Sequence, residues 1–151
     1  MLNFRMIEYG SCEYHEMVQL RDIVLRKPLG LTFTTEYLQK EINDLLIGCF
    51  ETDGTQTILR GCCILTPLDE TTVQLRQMAV SPVLQGKGIG RDIIAFAEQQ
   101  AITNGFNRLV MHARKEATGF YQKLGYEIDG QEFMEVGIAH YEMKKLLTAT
   151  S

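Results

Sequence analysis

Leu75-Arg76-Gln77-Met78-Ala79-Val80-Ser81-Pro82-Val83-Leu84-Gln85-Gly86-Lys87-Gly88-Ile89-Gly90 passes from a strand into a helix through a glycine-rich turn. The strand is Thr72–Val80, stopped by Ser81-Pro82. The helix runs from about Gly88 to Thr103, with Ile89, Ile93, Phe96, Ala97 and Ala101 on one stripe. Asn104-Gly105 ends it, because both residues tolerate the left-handed conformation. Backbone N–H groups at such a helix start have no partner within the helix, and the helix dipole adds positive potential there. The turn is therefore an anion site suited to a phosphate or pyrophosphate, with Lys87 and Arg91 at its rim. Glycine permits the close approach that side chains would block. The spacing is not that of a P-loop, and G-x-G-x-G is not the dinucleotide pattern. On these residues alone, a glycine-rich helix start without a ligand stands as an equal alternative.

Working outward, residues 2–9 alternate weakly as a strand, and Ser11 precedes a helix to about Arg26, ended by Pro28 and Gly30. Thr34 or Thr35 caps a second helix that ends near Asn43-Asp44. Leu45–Glu51, Thr57–Thr66 and Thr72–Val80 follow as an antiparallel meander. Beyond the central helix come a strand at Arg108–Arg114, a short helix at Lys115–Leu124, and strands at Tyr126–Asp129 and Ile138–Lys145. The order β-α-α-β-β-β-α-β-α-β-β is that of an α+β protein with an α/β mixed sheet. We read residues 1–151 as one domain.

Composition narrows the function classes. The chain has 151 residues, 45% of them hydrophobic and 23% charged, enough apolar surface for a real core. A net charge of −4 speaks against a general nucleic-acid binder. No apolar run approaches a membrane span, and the first residues lack a secretory pattern, so a cytoplasmic location without membrane attachment is expected. Cys12, Cys49, Cys62 and Cys63 form no C-x-x-C, and Cys62 and Cys63 point to opposite faces of a strand as small hydrophobes. The three histidines, His15, His112 and His140, lack metal-site spacing, so no metal is expected.

Gln85-Gly86-Lys87-Gly88-Ile89-Gly90 resembles the coenzyme A signature Q/R-x-x-G-x-G/A of the GCN5-related N-acetyltransferase (GNAT) superfamily. Met78-Ala79-Val80-Ser81-Pro82 looks like the end of that family's fourth strand, and Gly119 to Tyr126, G-F-Y-Q-K-L-G-Y, looks like its F-Y-x-K-x-G-F segment. The likeness covers residues 72–145 well and the first 70 weakly. It implies a mostly antiparallel central sheet flanked by helices, with strands four and five splayed apart around the pantetheine arm of acetyl-CoA.

The resemblance also implies roles. Met78, Ala79 and Val80 would lie beside the cosubstrate, with the free backbone of Met78 and Val80 pairing with pantetheine like an added strand. An N–H near Met78 or Ala79 would polarise the thioester carbonyl. Gln85, Gly86, Lys87, Gly88, Ile89, Gly90 and Arg91 would hold the pyrophosphate. Tyr121 would protonate the departing thiolate. The position where histone-acetylating relatives carry a glutamate falls near Gln74, a departure that disfavours protein lysine as acceptor. Candidates for the amine's base are Glu132, Glu135 and His140, with Glu135 and His140 in F-x-E-x-G-I-x-H and a water chain as the alternative. His112 reads equally as structural or cofactor-adjacent, and Arg114, Lys115 and Lys123 as cofactor-facing or as a solvated basic face.

The resemblance thus implies transfer of an acetyl group from acetyl-CoA to the primary amine of a small molecule by direct attack. The acceptor pocket would be built by residues 20–43 and 130–140, where Arg26 or Lys27 would suit a substrate carboxylate. Two rivals remain: an acyl-CoA sensor without chemistry, and an interaction domain with an incidental glycine turn. A homodimer through paired sheet edges is compatible with this fold.

Overall fold

The computed structural model describes residues 2–148, so Met1 and residues 149–151 of the expected 1–151 domain lie outside it. Eight strands form one sheet: β1 Leu2–Ile7, β2 Leu45–Asp53, β3 Gln56–Pro67, β4 Thr72–Val80, β5 Arg108–Arg114, β6 Glu127–Ile128, β7 Phe133–Glu135 and β8 Ile138–Leu146. Their order across the sheet is β1-β2-β3-β4-β5-β8-β6, and β7 also pairs with β8. β2 to β4 are the expected antiparallel meander, β1 adds antiparallel to β2, and β4 and β5 run parallel.

Two cores follow from the alternation of side chains along the strands. On one face, helix α3, Ile89–Thr103, lays Ile89, Ile93, Ala97 and Ala101 on Leu65, Val73, Leu109 and Met111. It ends as expected: Gly105 N–H donates to Ile102 and Phe106 N–H to Ala101, a Schellman closure. On the other face, helix α1, Cys12–Arg21, buries Tyr14, Met17 and Arg21 near Leu46, Phe50 and Ile64. Cys63 belongs to the first core and Cys62 to the second, as their adjacency demands. Burial pushes the Cys49 thiol up to about 11 and Cys62 up to about 12, which leaves both inert at neutral pH.

The first two helices are shorter than the sequence suggests. Ser11 caps α1 through Tyr14 N–H at 3.1 Å, but the chain then widens into a π-turn over Asp22–Arg26 and a 3₁₀ turn over Lys27–Leu29. Gly30, at φ +70°, closes it. Helix α2 is only Thr35–Gln39, capped by Thr34 and continued by a 3₁₀ turn over Lys40–Asn43. Tertiary contacts override helical propensity here. Arg21 and Glu41, both nearly inaccessible, form a two-pronged ion pair at 2.9 and 2.6 Å, and the Tyr14 hydroxyl donates to Glu41 at 2.7 Å. This pair fastens α1 to the segment after α2. The remaining helix, α4 at Thr118–Lys123, follows a 3₁₀ turn over Lys115–Ala117. β7 has no counterpart in the sequence reading, since three residues are too short to show a period.

Candidate active site

The site begins where two strands part. β4 pairs with β5 only through Thr72–Leu75 and Arg108–Met111, so Arg76–Val80 runs free of its parallel neighbour. A bulge in the β3–β4 pairing between Cys62 and Ile64 reinforces the parting, and Gln77 beside it adopts φ +55°, rare for a side chain. The distorted residue is secured from outside: Gln77 Nε2 donates to the Tyr37 hydroxyl at 2.9 Å. The strands therefore diverge as the family resemblance implies.

Three cavities lie along this parting. The first, about 250 Å³, is lined by Val80, Gln85, Gly86, Gly88, Ile89, Gly90 and Arg91 at the start of α3. Gly86 and Gly88 both stand at φ +80°, a conformation glycine enters without strain. No side chain caps α3, so its first N–H groups are available to an anion. The second cavity, about 230 Å³, lies between β4 and β5 and is lined by Met78, His112, Tyr121 and His140 among others. The third, about 280 Å³, adjoins it and extends to Leu25, Arg26, Tyr37, Arg76, Arg114 and Glu135.

The expected residues sort as follows. Met78, Val80, Gln85, Gly86, Gly88, Ile89, Gly90 and Arg91 all line one of these cavities. Lys87 is exposed and does not line the glycine-turn cavity. Ala79 is buried in the core under α1, lines none of the three cavities, and its backbone hydrogen-bonds Cys62 of β3, so the expected place beside the cosubstrate falls to Met78 and Val80. The Val80 carbonyl is already taken by the Gln85 side chain at 3.0 Å, so Gln85 closes the turn and Val80 retains less free backbone than expected. Gln74 lines the third cavity with its amide. Arg26 faces that cavity, whereas Lys27 lies 3.8 Å from Asp22 and does not line it. Lys115 pairs with Glu132 at 2.9 Å, removing Glu132 from the set of free carboxylates.

Tyr121 and His140 both line the second cavity, while Glu135 lines the third and approaches His140. Burial raises the Tyr121 phenol to about 12, and its hydroxyl makes no hydrogen bond to another described residue. His140 is buried, with Nδ1 2.7 Å from the Ile138 carbonyl, a contact that assigns the proton to Nδ1. Its Nε2 then faces Glu135 Oε2 at 3.7 Å. The other Glu135 oxygen meets His112 Nδ1 at 3.2 Å. Sequence reasoning left His112 undecided, yet it joins the cluster. The available signal was its alternation with buried Met111 and Ala113, which puts His112 and Arg114 on the open face of β5. Tyr37 falls within the 20–43 segment expected to build the acceptor pocket but was not singled out, and Arg76 was given no role, because no local pattern joins residues so far apart in the chain.

Residues 36–147 match the family model of the acetyltransferase (GNAT) domain. The chain belongs to the GNAT acetyltransferase family. Among curated proteins this GNAT chain is similar to YyaT, an uncharacterized protein of Bacillus subtilis, at 38% identity over 74 residues. That match covers 49% of the chain and 50% of YyaT, about half the length of the relative. Among solved structures, a candidate N-acetyltransferase of Lactobacillus plantarum superposes with a TM-score of 0.85 at 18% identity, covering 97% of this chain and 99% of that one. An aminoglycoside 6'-N-acetyltransferase complexed with coenzyme A superposes at 0.79 and 14% identity, covering 99% of each. Likeness at these identities establishes the GNAT fold.

Proposed function

We propose that this GNAT protein transfers the acetyl group of acetyl-CoA to the amine of a small molecule. The observation that carries the proposal is the parting of β4 from β5 beyond Leu75 and Met111, with the uncapped start of α3 on one side and a polar cavity on the other. Acetyl-CoA supplies a thioester already activated for attack. The amides at Gly86–Gly90, with Arg91, hold its pyrophosphate. The unpaired edge of β4 at Met78 and Val80 hydrogen-bonds the pantetheine arm, within the limit set by Gln85. The backbone N–H of Met78 stabilises the oxyanion, since that of Ala79 is engaged with Cys62.

The remaining work is proton transfer. Two acceptors, His140 Nε2 and a Glu135 oxygen, lie 3.7 Å apart, and a primary amine set to one side of both can donate one N–H to each. The Glu135–His140 pair takes the proton as the C–N bond forms, and His112 orients the carboxylate from its other side. When the C–S bond breaks, Tyr121 donates its proton to the thiolate. A phenol held near 12 stays protonated at neutral pH, which suits it to that task. The amide of Gln74, where histone-acetylating relatives carry a carboxylate, favours a small-molecule acceptor over a protein lysine.

The test is release of free coenzyme A thiol from acetyl-CoA in the presence of an amine panel, with the acetylated product identified by mass. Stoichiometric thiol and N-acetyl product support the reading. Tight acetyl-CoA binding without amine-dependent thiol release would favour the sensor alternative instead.

A further inference from the structure

We propose that the acceptor carries a negative charge, seated between Arg26 and Arg76 beneath the Tyr37 hydroxyl. This rests on the acetyl-transfer reading and names the class of its second substrate. The chain has eight arginines. Five have a carboxylate partner: Arg5 with Glu13, Arg21 with Glu41, Arg60 with Glu51, Arg91 with Asp92 and Arg108 with Asp129. Arg26, Arg76 and Arg114 have no carboxylate in ion-pair contact among the described residues, and all three line the third cavity. In a chain with an excess of acidic residues, three unmatched guanidinium groups around one cavity repel one another until an anion enters.

The cations are also held in position. Arg26 lies 4.4 Å from the Phe33 ring centre and 5.0 Å from that of Tyr37, a cation–π bracket that orients the guanidinium without neutralising it. Arg76 donates to Thr66 Oγ1 at 3.2 Å and to the Tyr37 hydroxyl. That hydroxyl also accepts from Gln77 Nε2 at 2.9 Å, so both its lone pairs are used and its own proton needs an acceptor. Asp44 is the carboxylate that feels the charge of Arg76, but it too is hydrogen-bonded to Thr66 and lies outside ion-pair contact. A carboxylate or a phosphate matches the guanidinium groups of Arg26 and Arg76 and accepts a hydrogen bond from the Tyr37 hydroxyl. Glu135 lies on the same cavity beside the histidines, so one wall attracts the amine and the other the anion. Leu25, Leu29, Leu31 and Val136 leave room for a small apolar body between them.

The experiment uses the full chain and four sets of amines: amino acids, their carboxamides, phosphoethanolamine, and spermidine as a cationic amine. Binding to the coenzyme A-loaded protein is followed by calorimetry and acetylation by thiol release. Preference of at least about tenfold for an anionic set over the carboxamides and spermidine is expected, an order of magnitude set by one charged hydrogen-bonded pair. The amino-acid and phosphate arms identify which anion is taken. Arg26→Met and Arg76→Gln should raise KM for that amine by at least about tenfold while KM for acetyl-CoA is unchanged. Arg60→Gln, which removes an arginine paired with Glu51 and absent from the cavity lining, should leave both unchanged.

Equal use of carboxamides, preference for spermidine, or no binding by any anionic amine overturns the proposal. Failure of acetyl-CoA itself to bind overturns the acetyl-transfer reading instead, so the two failures are distinguishable. If Arg76→Gln does not fold, Arg26→Met and the amine comparison on the unaltered protein still decide.

Discussion

Glu135 Oε1 lies 3.2 Å from His112 Nδ1, joining the short strand β7 to the open face of β5. Both residues line the third cavity. The contact leaves the second Glu135 oxygen turned to His140, a buried residue whose other ring nitrogen is bound to backbone. A carboxylate so placed has a defined orientation and can receive a proton from a bound amine.

Glu135→Gln keeps the shape and removes the basicity. We expect kcat to fall by about 10²-fold, the lower end of what positioned acid–base groups contribute. Acetyl-CoA affinity should be unchanged, and His112→Asn should cost less than Glu135→Gln because His112 acts through the carboxylate. Steady-state acetylation by the two variants checks the assignment, with kcat read apart from the KM for acetyl-CoA. An unaltered kcat in Glu135→Gln would exclude this carboxylate from the proton path.

Tyr121→Phe removes one hydroxyl from the β4–β5 cleft. Turnover should drop by about 10²-fold while acetyl-CoA binding and the thermal midpoint stay nearly constant. The unaltered enzyme should show no alkaline loss of kcat assignable to this phenol below about pH 10, where an ordinary tyrosine titrates, because burial raises Tyr121 to about 12. Single-turnover rates with Tyr121→Phe measure the effect directly, and equal rates would dismiss the role.

The Arg21–Glu41 pair concerns stability alone. Removing one partner strands a buried charge, so Glu41→Ala should cost about 3–5 kcal/mol. Replacing both, Arg21→Met with Glu41→Leu, should cost much less, since neither desolvated charge remains. Urea unfolding of the two variants makes the comparison, and equal losses would contradict it.

Alkaline stability should decline before the site titrates. Cys49 is raised from 9.0 to about 11, Cys62 from 9.0 to about 12 and Tyr121 from 10.0 to about 12, each chiefly by burial. Each folded-state value is above the unfolded one, so between them the folded state binds more protons and stability falls as pH rises. Their contribution is complete below about pH 9 and is lost progressively toward pH 12. Unfolding free energies measured from pH 7 to pH 11 should bend downward from about pH 9, and a flat curve would refute the linkage.

Much of this architecture is legible from the chain because its signals are local. The Ile89-Ile93-Ala97-Ala101 stripe marks α3, the Ser81-Pro82 stop marks the end of β4, and the adjacent Cys62 and Cys63 divide between two cores as strand alternation requires. The first two helices were overdrawn, since the buried Arg21–Glu41 pair and the turn at Gly30 set their ends and neither has a local pattern. The glycine turn, Tyr121, Glu135 and His140 could be singled out by motif. The arginine wall could not: Arg26, Tyr37 and Arg76 meet only because β4 bulges at Gln77 and the π-turn after α1 swings Arg26 inward.

The most direct test of the account is calorimetric titration of acetyl-CoA into the unaltered protein and into Gly90→Glu. Gly90 lines the glycine-turn cavity, and a Cβ there meets only Phe120 and Met78 at 3.7 and 3.8 Å, so the backbone should tolerate the change. Gly88, at φ +80°, would confound the result with strain. The account predicts micromolar binding to the unaltered protein and its loss in Gly90→Glu, with equal thermal midpoints for the two. No binding to the unaltered protein, or equal binding to both, would contradict the assignment of the α3 start as the pyrophosphate site.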